Sequence, residues 1–363
     1  MKAKKLYQKI NNYIPIWSIV IYFFAFVSIL VYLFCTKSTE FADNINNFTS
    51  PFRAFLSVLT SLFPFSIFEL FVFFFLIILL ILIFKYASRG NKQTHRFVHS
   101  ILMIFLCYFI SFVWTVGCGY YTTPIERKMN LNIENITKTN VYDALVDITN
   151  EINMLTPSIS YDEKGASIMP YTIKDMSLKI CDAYRAKNAE SKLSYNTRVK
   201  PLLFSKLLSL IRVSGIYIPL TGEANINMDY SDFMIASTAS HEMAHQRGIS
   251  RENEACFVGF YVLSSSNDDY LKYSAYLDAY GRLLPVLKKE DKNLYNRIVS
   301  LINKKAIKDY NLQVNRTINN SSETVAGSSD KINDSYLQVN GISEGIKSYE
   351  KANLLIVSYL NTH

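Results

Sequence analysis

The chain has 363 residues, a formal charge of +8 and 50% hydrophobic residues, and its apolar residues crowd into the first third. Eight basic residues beside apolar runs, Lys2, Lys4, Lys5 and Lys9 with Lys85, Arg89, Lys92 and Arg96, equal the whole charge excess, so the basic balance reports membrane topology and excludes a nucleic-acid-binding reading. Five cysteines without a CxxC pair exclude a disulfide framework and a cysteine-rich metal site, and one bridge between Cys181 and Cys256 is not expected.

Three apolar runs reach the length of roughly 20 residues that crosses a bilayer: Ile14 to Phe34, Phe65 to Phe84 and Phe97 to Val116. The stretch Phe71 to Phe84 has no polar face to turn toward water, although Glu69 sits near the start of its span. The first run is too long for a typical signal core and lacks a clear small-residue cleavage site, which makes it an anchor. The segment from Cys35 to Pro64 balances Glu40 and Asp43 against Lys37 and Arg53, as expected of an outside loop. Lys and Arg stay cytoplasmic, so three crossings from an inside N-terminus place everything after Val116 outside the cytoplasm. Residues 1–118 thus form a membrane domain and 119–363 an extracytoplasmic domain, with the lipid bilayer as a partner.

Beyond the spans, helical periodicity predicts helices over Val141 to Leu155, Ile173 to Ala186, Val199 to Val213, Asp232 to Gln246, Arg251 to Leu263, Asp268 to Leu284 and Asn293 to Ile307. Strands are predicted over Gly215 to Pro219 and Glu223 to Met228, joined through Leu220-Thr221-Gly222. Asn315 to Asp330 is polar and small and reads as an exposed loop, ahead of a final helix over Gly345 to Leu360. The fold class is mainly α with a small sheet (α+β) behind three N-terminal transmembrane helices.

Chemistry enters at Ser240-His241-Glu242-Met243-Ala244-His245-Gln246-Arg247-Gly248. On a helix, residues four apart share a face, so both imidazoles of HExxH reach one metal ion while Glu242 stands beside the open coordination position. Gly248 is placed to end the helix in a left-handed conformation, and Ser250 to cap the next one. A hydrolytic zinc site needs a third protein ligand. Arg251, where a metzincin would carry its third histidine, cannot serve. Glu252 is the first choice, because it shares a face with the small residues Ala255, Cys256 and Gly259; Glu254 is the alternative. Glu242 is the expected general base, with one Zn2+ per chain as cofactor. Candidate substrate or transition-state contacts are Glu223, Asn225, Arg247, Tyr349 and Tyr336. The segment Ile216 to Asn227 offers either an edge strand for an extended peptide or an ordinary internal hairpin.

Thr221-Gly222-Glu223-Ala224-Asn225, the HExxH segment, Glu252-Asn253-Glu254-Ala255, Tyr336-Leu337-Gln338-Val339-Asn340-Gly341 and Ser348-Tyr349, together with the apolar runs, resemble the bacterial domain-of-unknown-function family 3810. Its members look like membrane-anchored zinc metallopeptidases, so the resemblance implies a zincin-like domain in the bacterial cytoplasmic membrane. The spacing Glu252-x-x-Ala255 is also similar to gluzincins, with Glu252 as ligand. Cys256 departs from that pattern, since a carboxylate or amide usually supports a motif histidine there. The expected function is a membrane-anchored zinc metallopeptidase that hydrolyses peptide bonds of a peptide or protein substrate at the outer face of the membrane. The alternatives are a non-catalytic zinc-containing envelope binding or sensor protein and a cell-wall peptide hydrolase.

Overall fold

A computed structural model describes residues 15–87, 94–187 and 195–362 of the chain. The basic side chains at 2, 4, 5, 9, 85, 89, 92 and 96, from which orientation was read, lie outside the described part, as does Ile14.

Among the described residues the first third holds the helices α1 (Ile16–Cys35), α2 (Thr39–Thr60), α3 (Ile67–Ala87) and α4 (Thr94–Thr115). Two stretches among the described residues, Trp17–Cys35 of α1 and Phe97–Thr115 of α4, are long and apolar enough to cross a bilayer, where the sequence predicts three. The middle candidate is shorter. Residues 61–65 are turn and bend, the apolar stretch is Ile67–Ile81, and Glu69 in its first turn accepts from the Leu203 and Phe204 amides at 2.9 and 3.1 Å. Helices α1 and α4 lie side by side in the same direction: the Trp17 and His99 rings are 6.3 Å apart near their starts, and Trp114 Nε1 donates to Ser28 Oγ at 2.9 Å further along.

Helix α2 occupies the segment expected to be an outside loop. Ser38 caps it by accepting from the Phe41 amide, and its inward face is polar: Thr49, Ser50, Arg53, Ser57 and Thr60 are buried. Charge balance alone hid this pattern, because the apolar residues sit on the opposite, outward face. Arg53 donates to Thr49 Oγ1 at 2.6 Å and to the Asn46 carbonyl at 2.9 Å. Charged-group hydrogen bonds of this kind contribute roughly 1.5–3 kcal/mol each, so Arg53→Ala should lower stability by about 2 kcal/mol or more, read as an earlier thermal unfolding midpoint in detergent.

The remainder is built from α5 (Lys138–Leu155), α6 (Ile173–Lys187), β1 (Lys200–Pro201), β2 (Gly215–Ile218), β3 (Glu223–Ile226), α7 (Asp232–Gln246), α8 (Glu252–Ser264), α9 (Asp269–Glu290), α10 (Lys292–Leu301), α11 (Lys304–Asn320), α12 (Glu323–Val339) and α13 (Glu350–Leu360). The protein is therefore mostly helical with a small mixed sheet. Residues such as Leu145, Ile148, Ile152, Phe257, Leu277 and Leu283 fill the core between α5, α8 and α9, and α7 packs across them.

The sheet order is β1-β3-β2, with β1 parallel and β2 antiparallel to β3; Ile216 faces Asn225 and Ile218 faces Glu223. Gly222 supplies the positive φ of 66° that the turn into β3 requires.

Several predicted boundaries shift. Val199 to Val213 is the two-residue β1 followed by a short helix over Ser205–Leu210, because Pro201 and the pairing of Lys200 with Asn225 draw the chain into the sheet. Asn315 to Asp330 is almost wholly helical, broken only at Ser321 and Ser322; its small polar residues suit an exposed helix, and α12 buries only Ala326 and Leu337. The helix expected over Asn293 to Ile307 stops at Leu301, where Asn303 starts α11 by accepting from the Lys305 amide at 2.9 Å. The final helix begins at Glu350 after a tight turn over Gly345–Tyr349.

Candidate metal centre

Helix α7 runs Asp232–Gln246, as its periodicity predicts, and carries His241 and His245 one turn apart. Gly248 ends it at φ 94° with its amide bonded to the His245 carbonyl, the left-handed position expected there. Ser250 does not cap α8. Its hydroxyl donates to the Val116 carbonyl at 2.7 Å, tying the helix–helix corner to the end of α4.

The sharp reversal at Gly248 lays α8 against α7. Gly259 permits the closeness, since a Cβ there would stand 3.2 Å from the His241 amide nitrogen. Glu252, in the first turn of α8, is thereby delivered to both histidines: its Oε2 lies 3.2 Å from His241 Nε2 and 3.4 Å from His245 Nε2, and the two Nε2 atoms are 3.1 Å apart. Candidate ligand atoms of His241, His245 and Glu252 all fall within 4.8 Å of one another.

Tetrahedral zinc bonds of about 2.1 Å separate their ligand atoms by about 3.4 Å, and this donor set matches that spacing. His245 Nδ1 is 2.7 Å from the Ile249 carbonyl, so Nδ1 carries the proton and Nε2 presents a lone pair to the centre. Burial resists ionisation of Glu252, yet the His245 and His241 imidazoles hold its carboxyl well below the usual carboxylate range.

Glu242 is buried on the same helix, beside the three. Burial, opposed by the neighbouring imidazoles, lifts its carboxyl to about 7. Strand β2 presses on it: a Cβ at Gly215 would meet Glu242 Oε1 and Thr238 Cγ2, each at 2.6 Å. The whole group lines a cleft of about 710 Å³ whose walls include Gly215, Ile216 and Tyr217 of β2 and Asn333 and Tyr336 of α12.

Other candidates divide. Tyr349 and Tyr336 both line the cleft with Glu252, and Tyr120 donates to Tyr336 at 3.2 Å. Glu254 turns away, accepting from the Ile125 amide at 3.1 Å and pairing with Arg251 at 2.5 Å, while Arg251 also binds the Tyr120 and Thr122 carbonyls.

Glu223 does not reach the cleft. It accepts from the Ile67 and Phe68 amides at 2.9 and 3.0 Å and so satisfies the open N-terminus of α3. Asn225 is buried within the sheet, bonded to the Ile216 and Glu223 carbonyls. Arg247 lies between the rings of Tyr184 and Tyr195 and donates to Met243 O, Tyr195 O and Cys181 Sγ. Those last three belong to the framework: their hydrogen bonds run to backbone and core partners away from the cleft.

Cys256 lines the cleft with His241, at the position where a carboxylate is usual. Burial resists ionisation of its thiol, but the Arg282 guanidinium and His241 bring it below its ordinary value. Cys181 is held by Thr197 and Arg247.

The pair Asp278 and Arg282, 3.0 Å apart on α9 and both lining the cleft, escaped the sequence reading. Its i,i+4 spacing is legible as a helix ion pair, but nothing in the sequence links it to the motif.

A comparison with protein-family models matches residues 45–357 to a family described as Protein of unknown function (DUF3810). None of the curated proteins and none of the solved structures compared matches the chain.

Proposed function

The chain belongs to the DUF3810 family of proteins of unknown function, and from that premise we propose that it is a membrane-anchored zinc metallopeptidase of gluzincin type. The observation that carries the reading is the convergence of His241, His245 and Glu252 beside a buried Glu242 on the wall of a large cleft. The two imidazoles and the Glu252 carboxylate would hold one Zn2+, which when bound supplies Lewis-acid polarisation of a carbonyl and a lowered water pKa.

Glu242, buried beside the three donors, would take the proton of the attacking water and pass it to the leaving amine. Strand β2 has β3 on one side only, so its free edge offers backbone pairing to an extended peptide running past Glu242. Arg282 and Tyr349 face the same space and are placed to pair with the developing oxyanion or a substrate carbonyl.

Anchoring follows from the direction of the helices. Because α1 and α4 run parallel, the chain returns between them, and α3 is the apolar element available for that crossing. With the basic clusters inside, this supports an N-terminus in the cytoplasm and a cleft at the outer face of the cytoplasmic membrane.

The direct test is zinc-loaded, detergent-purified protein incubated with a peptide library and read by mass spectrometry. Cleavage that stops with chelator and returns with zinc is expected. Protein that keeps its zinc and cleaves neither linear nor cell-wall stem peptides would instead be a non-catalytic envelope binder.

Gly215→Val provides a second check. Its side chain must displace Glu242 or Thr238, and displacement of a reacting group by about 1 Å costs on the order of 100-fold in rate. Cleavage should fall by about that factor with zinc content unchanged.

A further inference from the structure

We infer that the cleft takes its substrate from the bilayer surface: a polypeptide tethered in the same membrane, not one free in solution. The inference rests on the hydrolase reading for its chemistry and on independent geometry for the route.

Helix α2 is inside out for a water-facing helix. Its polar face is buried, while Phe48, Phe52, Phe55, Leu59 and, just beyond it, Leu62 form one outward stripe at alternating spacings of four and three, with Phe48 73% and Leu62 74% exposed. An unpartnered apolar stripe of that length is stable against lipid and costly against water. It is also continuous with the membrane helices, since α2 connects the end of α1 to the start of α3.

A second apolar prominence, Leu203, Phe204 and Leu207, is fastened to the start of α3 by the bonds from the Leu203 and Phe204 amides to Glu69. The chain runs from there directly to Ile211 and Ile216, which line the cleft.

The cleft itself reaches membrane depth. Tyr108 lines it and is 47% exposed, yet it sits about 10 Å down the axis of α4 from Thr115, at ~1.5 Å per residue. Across the opening, Ile332 of α12 lines the cleft while 72% exposed. The rim is therefore apolar on the side where α4 meets lipid, and Ser111 of α4 holds the β2–β3 turn there by donating to the Pro219 carbonyl at 3.1 Å. A membrane-tethered polypeptide already lies at that side of the opening.

The test uses the full chain in phosphatidylcholine liposomes with the photocrosslinker benzoylphenylalanine replacing Phe55, Leu207, Ile216 or, as a control exposed on α5, Met154. Lipid adducts are expected at the first three positions and not at Met154. Absence of a lipid adduct at Ile216 overturns the route, and absence at Phe55 overturns the lipid face.

In Glu242→Gln protein crosslinking from position 216, a palmitoylated decapeptide library should be captured at least about tenfold better than the same library unmodified. Equal capture overturns the substrate class. Wild-type protein that captures the tethered library without ever cleaving it sustains this inference and sinks the hydrolase reading alone.

Discussion

In detergent-purified protein, His241→Ala and Glu252→Ala should each reduce bound zinc from about one per chain to almost none, measured by mass spectrometry of the metal. Each removes a donor from a set of three whose ligand atoms already stand at metal-binding separations. Loss of a mere supporting contact to a ligand weakens binding by about 10–100-fold, and loss of the ligand itself exceeds that.

Glu254→Ala separates the two glutamates. Zinc should be retained, while stability drops by about 3 kcal/mol because Arg251 and the Ile125 amide lose a buried carboxylate partner. Zinc lost with Glu254→Ala but kept with Glu252→Ala would reverse the assignment.

The second large effect is expected for Glu242→Gln. The amide is nearly isosteric, touches the same Thr238 and Gly215 neighbours, and leaves the donor set intact, so zinc and thermal stability should match wild type. It cannot accept a proton. Peptide cleavage should therefore fall by at least about 100-fold in kcat/KM, the usual scale of a lost general base. Cleavage that survives this change would remove Glu242 from the chemistry and shift attention to Asp278 or Tyr349 in the same cleft.

The motif helix and its stop were readable because their determinants are local: the i,i+4 histidines and Gly248 settle direction and end within one segment. Glu252 was reachable by the same logic one corner further, with Gly259 as the sign of close helix approach. What stayed hidden depends on partners distant in sequence.

Glu223 and Asn225 stand in a conspicuous segment before the motif, yet their partners are a helix N-terminus more than a hundred residues away and the neighbouring strand. Arg247, inside the motif, is held by Tyr184 and Tyr195 from outside it. Helix α2 was misread for a related reason. Its polar residues look like surface until their partners, the carbonyls of Gly222 and residues around Gly248, are in view. Likewise α12 was hidden because its small polar residues, Gly327, Ser328 and Ser329 among them, read as a loop.

The inward face of α2 bears on how this protein can be dissected. Ser57 donates to the Gly222 carbonyl, Asn46 donates to the Gly248 carbonyl, Arg53 lies against Gly248, and Lys200 reaches back to the carbonyls of Thr60 and Phe63. Gly222 turns the chain from the cleft-lining β2 into β3, and Gly248 sets the angle between α7 and α8. A recombinant fragment beginning at Gly119 would carry His241, His245 and Glu252 and still lack the scaffold beneath the corner that aligns them. The N-terminal third is thus a keystone rather than a tether, and insertions, fusions or soluble truncations made on the assumption of a detachable anchor will disturb the corner between α7 and α8 first.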